Sequence, residues 1–219
     1  MHAKLGLLHV ITDEVLQTRF SHAEIASKAT LAGADTVQFR EKRHRLTREL
    51  IDDAGAVLHA CEIAGATCII DDRVDVAVAL GAGGVHLGRD DLPVAVARHL
   101  LGPNVLIGGT ANSFEEARRV WQQPIDYLGV GPVYGTQSKA NPAPVLGVEQ
   151  LAAITGECPV PVIAIGSITA DRVSEVLDAG TYGMAVLSAI TCSTDPESAT
   201  REFVEAIQRW FANREEAPE

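Results

Sequence analysis

The stretch CIIDDR (68–73), VDVAVAL (74–80) and GVHLGRDD (84–91) decides how the chain folds. It holds two short apolar runs, each followed by acidic residues, with one short helical pattern between them. A near-continuous apolar run is the mark of a strand buried on both faces, and strands of that kind joined by a helix pair in parallel. Parallel neighbours bring their C-terminal ends side by side. Asp72 and Asp91 then face one another at one end of a sheet. Carboxylates converging there, among basic residues, suit a divalent cation that holds a phosphorylated ligand.

The same rhythm runs outward in both directions. Apolar runs at 5–11, 36–40, 67–70, 84–87, 105–107, 127–130, 162–165 and 183–187 predict eight strands. Helical patterns follow them at 21–31, 47–64, 74–80, 93–101, from 113, 148–154, 170–179 and 196–210. In the longest, Leu50, Ile51, Ala54, Val57, Leu58 and Cys61 recur on one face at helical spacing. Ser113 followed by Glu116 is a capping-box pattern. Eight such units in a chain of 219 residues close into a single-domain (β/α)8 TIM barrel. The competing architecture is a doubly wound open sheet, but no GxGxxG fingerprint follows the first strand. The barrel domain spans 1–212, and 213–219 reads as a polar C-terminal tail.

Composition bounds the function classes. At 47% hydrophobic residues the chain has enough apolar surface to fold. Its net charge of -11 argues against nucleic-acid binding, which needs a basic surface. Any anionic ligand must be gripped by local positive charge. No apolar run approaches a membrane span, and the run at the N-terminus is too short for a signal peptide. Cys61, Cys68, Cys158 and Cys192 form no CxxC pair and read as reduced thiols, which points to the cytoplasm. Self-association is left open; barrels commonly associate.

In a barrel the chemistry collects at the C-terminal ends of the strands. QFREK (38–42) ends the second strand. There Gln38 and Arg40 alternate to one side, with Arg40 suited to gripping phosphate bidentately and Lys42 adding a point charge. Arg43, Arg45 and Arg48 read as solvated surface. Asp72 and Asp91 are candidate magnesium ligands, against the plainer reading that each caps the helix after it. His86 reads as a hydrogen-bonded barrel histidine rather than a ligand. GPVYGTQSK (131–139) opens the longest irregular stretch, of the kind that covers a site. Its Thr136 and Ser138 suit phosphate, and Lys139 suits a leaving group. Gly166-Ser167 and Leu187-Ser188 end the last two strands, where many barrels bind phosphate through backbone N–H groups.

Taken together and in order, QFREK, IIDDRVDVA (69–77), GVHLGRDDLP (84–93), GPVYGTQSK, AIGSI (164–168) and AVLSAI (185–190) resemble the thiamine-phosphate synthase family along almost the whole chain. The resemblance implies a (β/α)8 barrel that joins a hydroxymethylpyrimidine diphosphate to a thiazole phosphate and releases diphosphate. It implies that Gln38, Arg40, Lys42, Asp71, Thr110 and Lys139 bind the pyrimidine diphosphate, with Arg40, Lys42 and Lys139 acting in catalysis. It implies that Asp72 and Asp91 bind Mg2+, and that Thr136, Ser138, Gly166, Leu187 and Ser188 surround the thiazole phosphate. The partners are therefore small phosphorylated substrates.

Two positions depart from the family pattern. Asp71 stands where the family usually has asparagine, and an ionised Asp71 repels the diphosphate it should bind. Thr110-Ala111-Asn112 stands where serine and histidine are usual. Two other functions share the barrel. A thiazole tautomerase relies on the histidine that Asn112 replaces and tends to lose the metal acids, which this chain keeps. A non-catalytic paralogue that binds thiazole phosphate or thiamine phosphate is kept open by Asp71.

Overall fold

A computed structural model of the protein describes residues 3–135 and 143–215. Eight strands form a closed parallel barrel in chain order: β1 (Leu8–Thr12), β2 (Thr36–Phe39), β3 (Thr67–Asp71), β4 (Gly84–Leu87), β5 (Leu106–Ala111), β6 (Tyr127–Val130), β7 (Val162–Ile165) and β8 (Gly183–Val186). The helices are α1 (His22–Leu31), α2 (Thr47–Ala64), α3 (Val74–Leu80), α4 (Val94–Leu101), α5 (Phe114–Val120), α6 (Val148–Glu157), α7 (Val173–Asp178), α8 (Ser188–Thr191) and α9 (Pro196–Glu215). β8 pairs back onto β1, with Leu8 opposite Met184 and Val10 opposite Val186. Among the described residues no helix is long and apolar enough to cross a membrane.

Strand alternation builds two cores. Val10, Val37, Ile70, Val85 and Leu128 point outward and are buried under the helices. Ile11, Ile69, Tyr127, Ile163 and Ala185 point inward and fill the barrel. Each fully buried side chain of this size contributes about 1.5–3 kcal/mol relative to exposure. Sidedness is therefore strongly specified, because a one-residue slip would exchange the two sets.

The helices start and stop for local reasons. Ser21 and Glu24 form a reciprocal capping box at α1. α2 ends where Gly65 takes a left-handed φ of 72°, a conformation that needs glycine. At α5 the Ser113 hydroxyl accepts from the Glu116 amide as expected, but the Glu116 carboxylate turns elsewhere. Several boundaries differ from the sequence reading. β1 begins at Leu8 rather than Leu5, and α9 continues past Trp210 to Glu215. β5 runs on through Gly108, Gly109 and Thr110 to Ala111 instead of stopping at Ile107. Glycine weakens a strand in isolation. Here a Cβ on Gly108 would lie 2.1 Å from Tyr127 Cζ, so the barrel interior has no room for any other residue.

Candidate active site

A cavity of about 560 Å³ opens at the C-terminal end of the barrel, the end at which β2, β3 and β4 deliver their polar residues. Gln38 is the last inward residue of β2 and is buried. Its amide donates to Asp71 Oδ1 at 3.2 Å. Arg40 pairs with the buried Asp13, at the end of β1, and lies 3.7 Å from Asp71 Oδ2. Asp13 is itself fixed by the Val15 and Leu16 amides at 2.7 and 3.1 Å. Lys42 reaches over the acid that ends β3 and the one after it, 2.8 Å from Asp71 and in contact with Asp72. Gln38, Arg40, Lys42 and Asp71 thus form one bonded group on the cavity wall.

Burial pushes the Asp71 carboxyl above the usual range, with Lys42 pulling against it and Asp72 adding to it. Burial also works against the Lys42 ammonium, but Asp71 and Asp72 outweigh it and hold its proton more tightly than usual. Asp72 has a φ of 61°, a left-handed backbone that a β-carbon disfavours. Its amide donates to the His86 carbonyl at 2.9 Å. Asp91 accepts the Gly88 amide at 2.6 Å. Burial raises the Asp91 carboxyl, and the adjoining Asp72 carboxyl raises it further.

Neither acid caps a helix: the cap positions of α3 and α4 are Arg73 and Pro93, and neither helix has a side-chain cap bond. Two carboxyl groups held side by side without a capping role fit a divalent cation. A second set lies nearby, with ligand atoms of Glu14, His22 and Glu41 within 4.8 Å of one another. There Arg43 already pairs with both carboxylates.

The floor of the cavity is polar as well. His86 bonds the Tyr127 hydroxyl through Nδ1 at 3.0 Å and the Thr110 hydroxyl through Nε2 at 2.8 Å. Asn112 donates to the Gly131 carbonyl at 2.5 Å, tying the end of β5 to the end of β6. The Glu116 carboxylate accepts the Asn112 backbone N–H at 2.9 Å and pairs with Arg89 at the cavity rim.

The opposite wall is backbone. Gly166, Leu187 and Ser188 line the cavity after β7 and β8. Gly166 has a φ of 112°, and a Cβ there would stand 2.6 Å from Pro132 Cα. Ser167 follows at a φ of 49°. Arg172 donates to the Ser167 carbonyl at 3.2 Å and stacks 4.2 Å over the Tyr134 ring. Tyr134 in turn donates to Glu175 at 2.6 Å.

Of the site residues read from the sequence, Gln38, Arg40, Lys42, Asp71, Asp72, Asp91, Thr110, Gly166, Leu187 and Ser188 all line this one cavity. Thr136, Ser138 and Lys139 lie outside the described residues. Sequence reasoning passed over Asp13 and Tyr127. An acid after a strand was the only signal for the first. For the second there was none, since a tyrosine opening a strand reads as core.

The chain is similar to one family of known proteins. The family model for thiamine monophosphate synthase matches residues 8–190. A thiamine-phosphate synthase of Salinibacter ruber is 49% identical, covering 93% of this chain and 89% of the relative. Another, of Chloroflexus aurantiacus, is 41% identical over 90% of each. The solved thiamine phosphate pyrophosphorylase of Pyrococcus furiosus superposes with a TM-score of 0.84 at 36% identity, covering 93% of this chain and 96% of that one. On the match of the family model over most of its length and on these relatives, the chain belongs to the thiamine monophosphate synthase family.

Proposed function

We propose that the protein is a thiamine-phosphate synthase, a transferase that couples 4-amino-2-methyl-5-hydroxymethylpyrimidine diphosphate to thiazole phosphate and releases diphosphate. One observation carries the reading. A wall bearing Arg40, Lys42 and the Asp72–Asp91 pair faces a glycine-shaped backbone wall at Gly166 and Ser188 across a single cavity. Two phosphorylated ligands need two such walls.

Gln38, Arg40, Lys42 and Thr110 hold the pyrimidine diphosphate. Asp72 and Asp91 hold Mg2+, which supplies positive charge to the departing diphosphate. Arg40 and Lys42 stand ready to take up the same charge, with Lys139 assigned to them from the sequence. Asp13 keeps the Arg40 guanidinium aimed at the cavity. Loss of diphosphate leaves a pyrimidine-methyl cation that its ring amino group stabilises. The thiazole nitrogen, placed by Gly166, Leu187, Ser188, Thr136 and Ser138, then attacks the methylene carbon. No protein nucleophile takes part. Asn112 is bonded to backbone and cannot act as an acid or base, which weighs against tautomerase chemistry.

The test mixes both phosphorylated precursors with magnesium and follows thiamine phosphate. Product formation supports the reading. Binding of thiazole phosphate without any product would replace it with a binding role.

A further inference from the structure

The barrel floor carries a hydrogen-bonded chain, Tyr127–His86–Thr110, whose direction can be worked out from what each atom is able to donate. Tyr127 is 2% exposed. Burial pushes its phenol well above the ordinary range, so the hydroxyl keeps its hydrogen. Among the described residues, the bonding partner of that hydroxyl is His86 Nδ1. A buried hydroxyl hydrogen needs an acceptor. Nδ1 must therefore be the bare nitrogen of the ring, and a ring protonated on both nitrogens would leave the tyrosine hydrogen nowhere to go. The ring hydrogen is then on Nε2, which donates to Thr110 Oγ1. With its oxygen already accepting from the ring, Thr110 keeps its own hydrogen for the cavity that it lines.

The ring is held in this pose. A Cβ on Gly108 would lie 2.5 Å from His86 Nδ1, and one on Gly129 would lie 2.9 Å from Cε1. Two strands present glycine where the imidazole sits against them.

We infer that Tyr127 and His86 are positioning residues: they form a one-way relay that fixes the Thr110 hydroxyl as a donor toward an anionic ligand. The identity of that ligand as the pyrimidine diphosphate rests on the proposed function. A phosphate oxygen offers only acceptor sites, so a threonine able to turn its lone pairs toward it would repel it. The relay removes that option before the ligand arrives.

The experiment has two arms on the full chain. In the first, 15N-histidine NMR of the ligand-free protein reads the His86 tautomer, with the signal assigned by its loss in His86→Gln. The Nε2–H form is expected; the Nδ1–H form or the doubly protonated ring overturns the relay. In the second, Tyr127→Phe and Thr110→Val are each expected to lower kcat/KM for the pyrimidine diphosphate by about 10-fold to 100-fold, the loss of one hydrogen bond to a charged group. KM for thiazole phosphate should stay unchanged. The double variant should lose no more than Thr110→Val alone, because both changes break one chain. Multiplying losses, or wild-type kinetics in Tyr127→Phe, overturn the inference. If Tyr127→Phe does not fold, the wild-type tautomer decides alone. The NMR arm needs no turnover, so an inactive wild-type protein would overturn the synthase reading and leave the relay to be judged by its tautomer.

Discussion

Asp71 binds Gln38, Arg40 and Lys42 into one group while carrying the same sign of charge as the proposed diphosphate. Asp71→Asn keeps an oxygen to accept these bonds and removes the charge. KM for the pyrimidine diphosphate should fall about threefold to tenfold, a modest value for one screened charge near a surface cavity. Steady-state kinetics would show an unchanged or higher KM if the charge is instead required to hold Lys42 in place. Asp72→Ala should cut turnover by at least about 100-fold, since charge stabilisation of the leaving group is lost. The acid pair also has a thermodynamic signature. Burial and Asp72 raise the Asp91 carboxyl. Over the interval between its ordinary and raised values the folded state binds more protons than the unfolded chain. Stability therefore falls as pH rises through that interval, and the ionised Asp91 is a cost at neutral pH. Magnesium should raise the melting temperature at neutral pH and do so less as pH drops toward the carboxylate range. Calorimetry with and without magnesium at two pH values checks this, and equal melting temperatures would remove Asp72 and Asp91 as its ligands.

At the level of elements, the segment after β7 is the most constrained. Gly166→Ala meets both a φ of 112° and a contact of 2.6 Å to Pro132 Cα. It should destabilise the protein by about 1–3 kcal/mol and raise KM for thiazole phosphate. Denaturant melts and kinetics on the same variant check the two effects. This segment was legible in the sequence because glycine-serine pairs after a strand follow a local rule. The strand ends bearing Gln38, Arg40, Asp71 and Asp72 were legible for the same reason: strand period and barrel polarity place them without further information. β5 was not. Gly108 and Gly109 look like a strand's end, and they belong to the strand because Tyr127, on the next strand, needs the space at Gly108 while Val120 and Ile125 need it at Gly109. Tyr127 and His86 are 41 residues apart, a separation at which no local pattern speaks. Asp13 was missed in the same way, since its meaning comes from Arg40 at the end of the neighbouring strand.

For the molecule as a whole, buried histidines set the response to acid. Burial lowers the His9 pKa from 6.5 to about 4, and burial also lowers that of His22. The unfolded chain takes up these protons first as pH falls. The His9 contribution is complete above pH 6.5 and is lost progressively as pH falls toward about 4, and that of His22 falls in the same direction. His9→Gln should therefore lose less stability than the wild type across that window, measured by urea midpoints at each pH; parallel curves would show that His9 does not set it. The closure of the ring has a further consequence, for synthesis. β1 is made before every other strand of the barrel, yet one of its two partners, β8, begins at Gly183. A nascent chain halted before that point exposes two unpaired strand edges at once, on β1 and on whichever strand was made last. Sealing the ring thus waits for the last strand, and chains cut before β8 should self-associate through those edges rather than persist as smaller barrels.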